Sequence, residues 1–520
     1  MELSNLIRER ASAHGDRAAV ICDGQTQTYG TLFERGCRLA NALVALGVRR
    51  GEVVATLGDN SPETLEQWCG IALGGFVRGS LYTHNPPETN TYLLNLIEAK
   101  ALVVQRSSYD ALAPHLEQVA SLRHVLVFDG ETADEGADYE AALEAASATD
   151  PSVAIGDDDP YIIRFSAGTT GKPKGILHTT ARWASVFGET ALTLPSQTAD
   201  DRYLAAAPVA HAAGLPIGAT LAAGGSIVMM RAFDPAAFLE LVERHCCTTT
   251  VLVPTMIHVI ANHPAAGEAD LSSLRAVFYG AAPISERTLE QALGLWGNIM
   301  YQLYGQSEAV PLTILPPEDH LPDGSADFQA RLRSAGKPTP NCTIRILDPD
   351  GSEVPVGDVG EVAALTPTAM AGIWHDEQAT AERIRPDGFV LTRDMGYVDE
   401  DGYLFLTDRK EDMIISGGFN IWPAELENAL ASHPAVAEVA VVGVPHEKWG
   451  ETPKAIVVLR DGEAASEHEL IAYGRKKLGS VKGVTSVDFA DDLPKTPLGK
   501  VLRRAVRERY RSVGATLPGA

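Results

Sequence analysis

The chain has 520 residues, 45% hydrophobic and 21% charged, with 43 Lys and Arg against 68 Asp and Glu. That length divides into roughly two to four domains or subdomains, and the composition is that of a globular protein with room for an ample core, so disorder is not the default reading. The formal charge of −25 repels nucleic acid and anionic membranes at long range, so a polyanionic ligand must be held by local backbone N–H groups, a few cations and a metal.

Residues 31–46 place Leu32, Leu39, Leu43 and Leu46 near helical spacing. Residues 53–57, Val-Val-Ala-Thr-Leu, read as a short buried strand. Residues 62–72 read as a helix, and 101–104 and 124–128 as strands. This alternation predicts an α/β layered domain with mostly parallel pairing. Residues 132–159 are acidic and alanine-rich and read as a surface connection. Residues 161–165 read as a strand that runs directly into a glycine-rich loop. The pattern then resumes with strand 225–230, helix 235–245 and strand 249–253, and Asp234-Pro235 serves as cap and first turn of the helix. The apolar stretch 214–230 is broken by glycines and Pro216, which argues against a membrane span.

After about residue 334 the chain becomes β-rich and turn-rich, with Asp348-Pro-Asp-Gly351 and Asp399-Glu-Asp-Gly402 as turn signals. A charge cluster at 408–412 predicts a boundary, giving domains 1–408 and 409–520. The second reads as helix 423–432, strands 436–444 and 454–459, helix 467–478, strand 486–490 and a terminal basic helix, which is a small α+β domain. The first residues carry no signal-peptide pattern. The six cysteines, including adjacent Cys246 and Cys247, lack zinc spacing and read as free thiols. A cytoplasmic location is the expectation.

The loop Ser166-Ala-Gly-Thr-Thr-Gly-Lys-Pro-Lys-Gly175 concentrates glycine, hydroxyl and positive charge. Glycines let a backbone turn sharply and present N–H groups to an anion, while Thr169, Thr170, Lys172 and Lys174 add donors. No Lys-Ser/Thr pair follows the last glycine, so this is not a Walker loop, nor is it GxGxxG. By composition alone it is either an anion cradle or a flexible hairpin tip.

With that loop, further segments follow in a fixed order: Ala207-Pro-Val-Ala-His-Ala-Ala-Gly214, Tyr279-Gly-Ala-Ala-Pro283, Tyr304-Gly-Gln-Ser-Glu308, Gly336-Lys-Pro338, Thr392-Arg-Asp394, Asp408-Arg-Lys-Glu-Asp-Met-Ile414, Ser416-Gly-Gly-Phe-Asn420 and Pro494-Lys-Thr-Pro-Leu-Gly-Lys500. Together they resemble the signature of the adenylate-forming superfamily, and the acyl-CoA synthetase type in particular, over nearly the whole chain. Ala167 stands where the family usually has Ser, Ser307 where it has Thr, and Glu411 where Asp or Lys is commoner. The resemblance implies a large N-terminal domain of layered α/β subdomains plus a β-rich subdomain, followed by a small mobile α+β C-terminal domain.

The same resemblance implies the site. Ser166, Gly168, Thr169, Thr170, Gly171, Lys172 and Lys174 would hold the phosphates of ATP, and Glu308 would ligate Mg2+ as a hard oxygen donor. Gly280, Ala281, Ala282 and Pro283 would form the adenine pocket with Tyr304 stacked on the base, and Gly305 and Ser307 belong to the same segment. Asp394 and Arg409 would hold the ribose hydroxyls. Lys500 would bridge the α-phosphate and the substrate carboxylate. His211 would line the acid pocket with Ala212, Ala213, Gly214, Gly305 and Val310, small residues that leave room for an aromatic or cyclic acid. Each has a plainer reading beside it: a turn Asp for Asp394, a core Tyr for Tyr304, a satisfied His for His211, a solvated Lys for Lys500.

The small domain of such enzymes turns about a hinge, here residues 408–411. Gly417 and Gly418 would then line a pantetheine tunnel and Trp449 would pack on its arm, though a surface Trp fits equally. Arg475, Lys476, Lys477 and Lys482 suit CoA phosphates or a solvated helix face. CoA is preferred as acceptor because no carrier, condensation or reductase domain is appended and Ser416-Gly-Gly-Phe-Asn-Ile-Trp-Pro423 looks more like acyl-CoA synthetases than amino-acid adenylation domains. An amine or carrier-protein acceptor is the alternative. The expected partners are therefore a small carboxylic acid, ATP and CoA, with the oligomeric state open, a homodimer included.

Overall fold

Thr28 opens the first long helix. Its hydroxyl accepts from the backbone N–H of Thr31, and the helix runs Tyr29–Ala45 with Leu32, Leu39 and Leu43 fully buried. It starts two residues before the apolar spacing predicts because Tyr29 is itself core: its hydroxyl donates to the carbonyl of Gly225 at 2.6 Å. Asp234 behaves as expected. Its carboxylate accepts from Ala237 N–H at 2.8 Å, Pro235 occupies the first turn, and the helix Pro235–His245 stops where Cys246 turns left-handed at φ +47°.

The computed structural model describes residues 2–130, 137–166, 173–282, 284–320, 331–409, 412–416, 419–446, 449–478, 483–495 and 501–511. The chain divides into two units, Met1–Ile344 with Ala364–Leu391, and Arg345–Ala363 with Thr392–Ala520.

The first unit holds two large sheets. One carries the parallel strands Ala101–Gln105, Val53–Leu57, Val77–Ser80 and Pro160–Ser166 as neighbours, with Lys174–Thr179 antiparallel beyond the last. All five residues of Val53–Leu57 are buried, as a strand covered on both faces requires. The other runs Met300–Gln306, Ala276–Gly280, Thr249–Leu252, Arg202–Ala205, Ser226–Met229 and Ala18–Cys22 in parallel, edged by antiparallel strands. A shared core that includes Leu32, Leu65, Trp68, Ile162, Trp183, Ile227 and Phe278 joins them.

The second unit contains a four-stranded sheet with strands Gly360–Leu365, Val390–Val398 and Leu404–Arg409. It also contains a sheet of Ile414–Ser416, Phe419–Ile421, Gly450–Leu459, Val436–His446 and Ser486–Phe489, with helices Pro423–Ala431, Glu467–Leu478 and Arg503–Arg511. Expected strands 436–444 and 454–459 are longer here because they pair with each other from Val436↔Leu459 to His446↔Gly450.

The expected surface connection at 132–159 needs correction. Its described part contains the helix Tyr139–Ala145, capped by Asp138, with Tyr139 fully buried. The Tyr139 hydroxyl donates to Glu66 Oε2 at 3.0 Å. Arg35 closes the network, with Nε 2.5 Å from Glu66 and two N–H groups on Glu140. Glu66 is almost fully buried, and burial pushes its carboxyl above the usual range against the opposing pull of Arg35. Removing one partner of a buried pair strands the other charge. Arg35→Met is therefore expected to lower unfolding free energy by about 3 kcal/mol in denaturant titration. A loss below about 1 kcal/mol would mean that the network does not hold this helix.

Candidate active site

The glycine-rich loop connects two strands that pair with each other. The strands Pro160–Ser166 and Lys174–Thr179 pair antiparallel, with Ser166 directly opposite Lys174 at the base. Both expectations for the loop share this topology. Lys174 lies 3.5 Å from Asp376, and Trp374 N–H donates to the carbonyl of Gly175, so the far side of the hairpin is fastened to the 372–376 segment. Ala167, Gly168, Thr169, Thr170, Gly171 and Lys172 lie outside the described residues.

The other first-unit candidates stand at the carboxyl ends of parallel strands, where open α/β sheets leave crevices for ligands. Gly280 ends Ala276–Gly280, and a Cβ there would sit 2.2 Å from the carbonyl oxygen of Leu303, so only glycine permits this strand pairing. Ala281 follows at φ +66°, an uncommon left-handed state for a residue with a side chain and a form of strain found at functional turns. Ala282 follows, and Pro283 lies outside the described residues. Tyr304 and Gly305 lie in Met300–Gln306, and Ser307 and Glu308 form its turn into Ala309–Leu315.

This turn is fastened to the two strands that flank the glycine-rich loop. The Ser307 hydroxyl donates to the carbonyl of Phe165 at 3.3 Å, and His178 Nε2 donates to the carbonyl of Ser307 at 2.8 Å. Glu308 is 5% exposed and pairs with buried Arg383 at 3.1 Å, whose guanidinium also reaches Gln306 Oε1 at 2.8 Å. Sequence reasoning missed Arg383 and His178. His178 carries a readable signal, a polar residue at an inward position of an alternating strand; Arg383 carries none.

His211 sits in the turn after Arg202–Ala205, before the short helical turn Ala212–Gly214. Its ring stacks on Tyr82 with centroids 3.9 Å apart and planes at 14°. Burial, then the nearby positive charges of Arg164 and His84, lowers its pKa to about 3. Ala213 and Gly214, which follow it, are buried, and Val310 on Ala309–Leu315 is buried as well.

In the second unit, Asp394 and Arg409 are direct backbone partners across the hairpin of Val390–Val398 and Leu404–Arg409. The fifteen-residue gap between them in sequence closes to one register position. Arg393 beside them is left-handed at φ +62°, its N–H donating to Glu361. Trp449 is 42% exposed and stacks on His446, with centroids 4.5 Å apart. Lys477 donates to Ser432 Oγ at 2.7 Å and lies 5.2 Å from the Tyr473 ring centre. Lys410, Glu411, Gly417, Gly418, Lys482 and Lys500 lie outside the described residues.

Comparison with known proteins fits this arrangement. Residues 7–374 match the AMP-binding enzyme family and residues 425–500 its C-terminal domain. The chain is 38% identical over 514 residues to a feruloyl-CoA synthase of Amycolatopsis, covering 97% of each protein. It is 35% identical over 516 residues to an indoleacetate–CoA ligase of Aromatoleum aromaticum, covering 98% of each. Among solved structures, ATP-bound MatB from Rhodopseudomonas palustris superposes with a TM-score of 0.88 at 30% identity, over 99% of this chain and all of that one. The amide bond synthetase McbA from Marinactinospora thermotolerans gives 0.85 at 30% identity, over 98% and 99%. The chain belongs to the AMP-binding enzyme family, as an AMP-forming acid–CoA ligase. None of its described helices is long and apolar enough to cross a membrane.

His178, fully buried, has its pKa lowered to about 3 like His211, chiefly by burial. Both imidazoles are neutral in the folded protein, so unfolding below the ordinary value of 6.5 takes up protons. Their stabilising contribution is complete above pH 6.5 and is lost as pH falls towards 3, by up to about 2.7 kcal/mol per pH unit for two protons. Denaturant titrations from pH 7.5 to 4.5 should show a shallower loss in His211→Gln than in the unaltered protein. Equal slopes would contradict a buried neutral His211.

Proposed function

We propose that the chain activates an aromatic, cyclic or medium-chain carboxylic acid at the ends of the first unit's parallel strands and passes the acyl group to CoA. The observation that carries this reading is the fastening of Ser307–Glu308 to the strand before the glycine-rich loop through the Ser307 hydroxyl and the Phe165 carbonyl. It holds a hydroxyl and the turn that carries the Glu308 carboxylate against the end of the strand from which the glycine-rich loop leaves.

The acid's carboxylate oxygen attacks the α-phosphorus of ATP and pyrophosphate leaves. The thiol sulfur of CoA then attacks the acyl carbon, AMP leaves, and the thiol proton passes to solvent. Catalysis of the first step is positioning and neutralisation of charge. In this proposal residues 166–175 hold the phosphates, Gly280–Ala282 and Tyr304 the adenine, Asp394 and Arg409 the ribose, and Lys500 sits between two anions. Unit charges about 4 Å apart repel by roughly 4 kcal/mol at an effective dielectric of 20, so one lysine there has a large effect.

Glu308 fits Mg2+ as a hard oxygen donor, because the ion takes its remaining ligands from phosphates and water. When bound, the ion would neutralise phosphate charge. Arg383 holds the Glu308 carboxylate in place. The hinge is assigned to residues 408–411, which puts Lys500 and the Gly417–Gly418 pair on the moving part. Six free cysteines support a reducing, cytoplasmic setting.

Relatives named for feruloyl and indoleacetic acids favour a ring-bearing substrate, in line with the small residues 212–214. The McbA likeness supports an amine acceptor as the second reading. Pyrophosphate release across a panel of aromatic, cyclic and medium-chain acids, with CoA or an amine and product mass spectrometry, separates the two. Thioester as the main product supports the CoA reading, amide the second, and no acid-dependent release removes both.

Two variants test the residues. Lys500→Ala should slow acid-dependent pyrophosphate release about 100-fold or more yet leave CoA acylation from preformed acyl-AMP within a few-fold. Equal loss in both half-reactions would remove the lysine's assigned role. Gly418→Leu should block thioester formation while adenylation continues; unchanged CoA turnover would rule out the tunnel.

A further inference from the structure

In the first unit a small, partly open cavity is lined by Trp68, Arg78, Ser80, Arg164, Trp183 and His211. Arg78 is on Val77–Ser80 and Arg164 on the adjacent strand Pro160–Ser166. Arg78 pairs in register with Ile162, so Arg164, two residues on, projects from the same face of the sheet. The two guanidinium groups therefore share one small space. Arg78 is 3% exposed and Arg164 8%.

Among the described residues neither arginine has a carboxylate or any hydrogen-bond partner. Arg78 leaves Nε and Nη1 unanswered, and Arg164 leaves Nη1. Trp183, on another wall, leaves its indole N–H unanswered as well. Aromatic faces take the place of anions: Arg78 lies 3.8 Å above the Trp68 ring centre and Arg164 5.5 Å from that of Trp183. Glu308, whose charge acts on Arg164, forms its ion pair with Arg383 instead. Burial lowers the pKa of Arg78 only to about 10, so it is a cation at neutral pH.

Two buried like charges without an acid are costly, a cavity whose unanswered groups are all donors suits an acceptor, and of acceptors an anion also offsets the charge. We propose that this cavity is an anion subsite that takes a compact monoanion between Arg78 and Arg164. Two sources carry that chemistry: a distal carboxylate on the acid substrate, reached past His211, or a free halide. The first source deepens the ligase reading and depends on His211 lining the acid pocket. The second does not depend on it.

The experiment has two arms on the full chain. In the first, thermal unfolding is followed as chloride or bromide replaces gluconate at constant ionic strength, and bromide-soaked crystals are read for anomalous scattering. A halide site gives a saturable rise of about 3 °C or more and a bromide peak between the two guanidinium groups. In the second, pyrophosphate release is compared for acids of equal length with and without a terminal carboxylate, such as suberic against octanoic acid. A substrate site gives a kcat/KM preference for the diacid of about 10-fold or more.

Either signal, abolished in Arg164→Gln or Arg78→Gln, supports the subsite and names its source. If both variants fail to fold, the bromide peak and the diacid preference of the unaltered protein decide. Signals that persist in a folded variant, or no signal in either arm, overturn the proposal. The halide arm needs no turnover, so its failure is separate from failure of the ligase reading.

Discussion

The site is organised around the strand Pro160–Ser166. Its hydrogen bonds to Lys174–Thr179 on one side and Val77–Ser80 on the other fix where the glycine-rich loop leaves the sheet. Its carbonyl at Phe165 receives the next motif, accepting from the Ser307 hydroxyl and so holding the Glu308 turn to the end of this strand. Its inward residues do further work: Ile162 enters the core shared by both sheets, and Arg164 faces the cavity at His211. A parallel strand covered on both faces cannot slip register without turning these residues inside out. One strand thus positions the base of the glycine-rich loop, the Glu308 turn and a wall of the cavity at His211 together.

Charge gives that arrangement its purpose. A chain at −25 repels a triphosphate and a carboxylate alike, so attraction must be local. The described part of the site is built accordingly. Glu308 is held by Arg383, His211 and His178 are neutral, and the buried cations Arg78 and Arg164 stand unpaired. The two arginines show that buried positive charge is tolerated at one face, where aromatic rings and the proposed anion offset it.

Much of the fold was legible from periodicity. The strand at residues 53–57 and the helices at 235–245 and 467–478 have the expected bounds, because continuous apolar runs, a Pro-bearing cap and amphipathic spacing are local signals. The helix Tyr139–Ala145 was not legible. Its stretch is acidic and alanine-rich, and one buried tyrosine bonded to Glu66, distant in sequence, decides its packing. Site motifs were readable as segments, and two convergences could be seen only in three dimensions: Asp394 opposite Arg409, and Ser307 against Phe165. Arg383 and the Arg78–Arg164 pair escaped notice because a lone arginine in sequence carries no mark of burial.

The central claim is that a carboxylate oxygen of the acid becomes the bridge to AMP before the acyl group moves on. Turnover of an acid carrying two 18O atoms in its carboxylate tests this directly, with products read by mass spectrometry. The account predicts one 18O in AMP and one in the thioester for each turnover, with unlabelled pyrophosphate. Label in inorganic phosphate, with ADP as the nucleotide product, would contradict it.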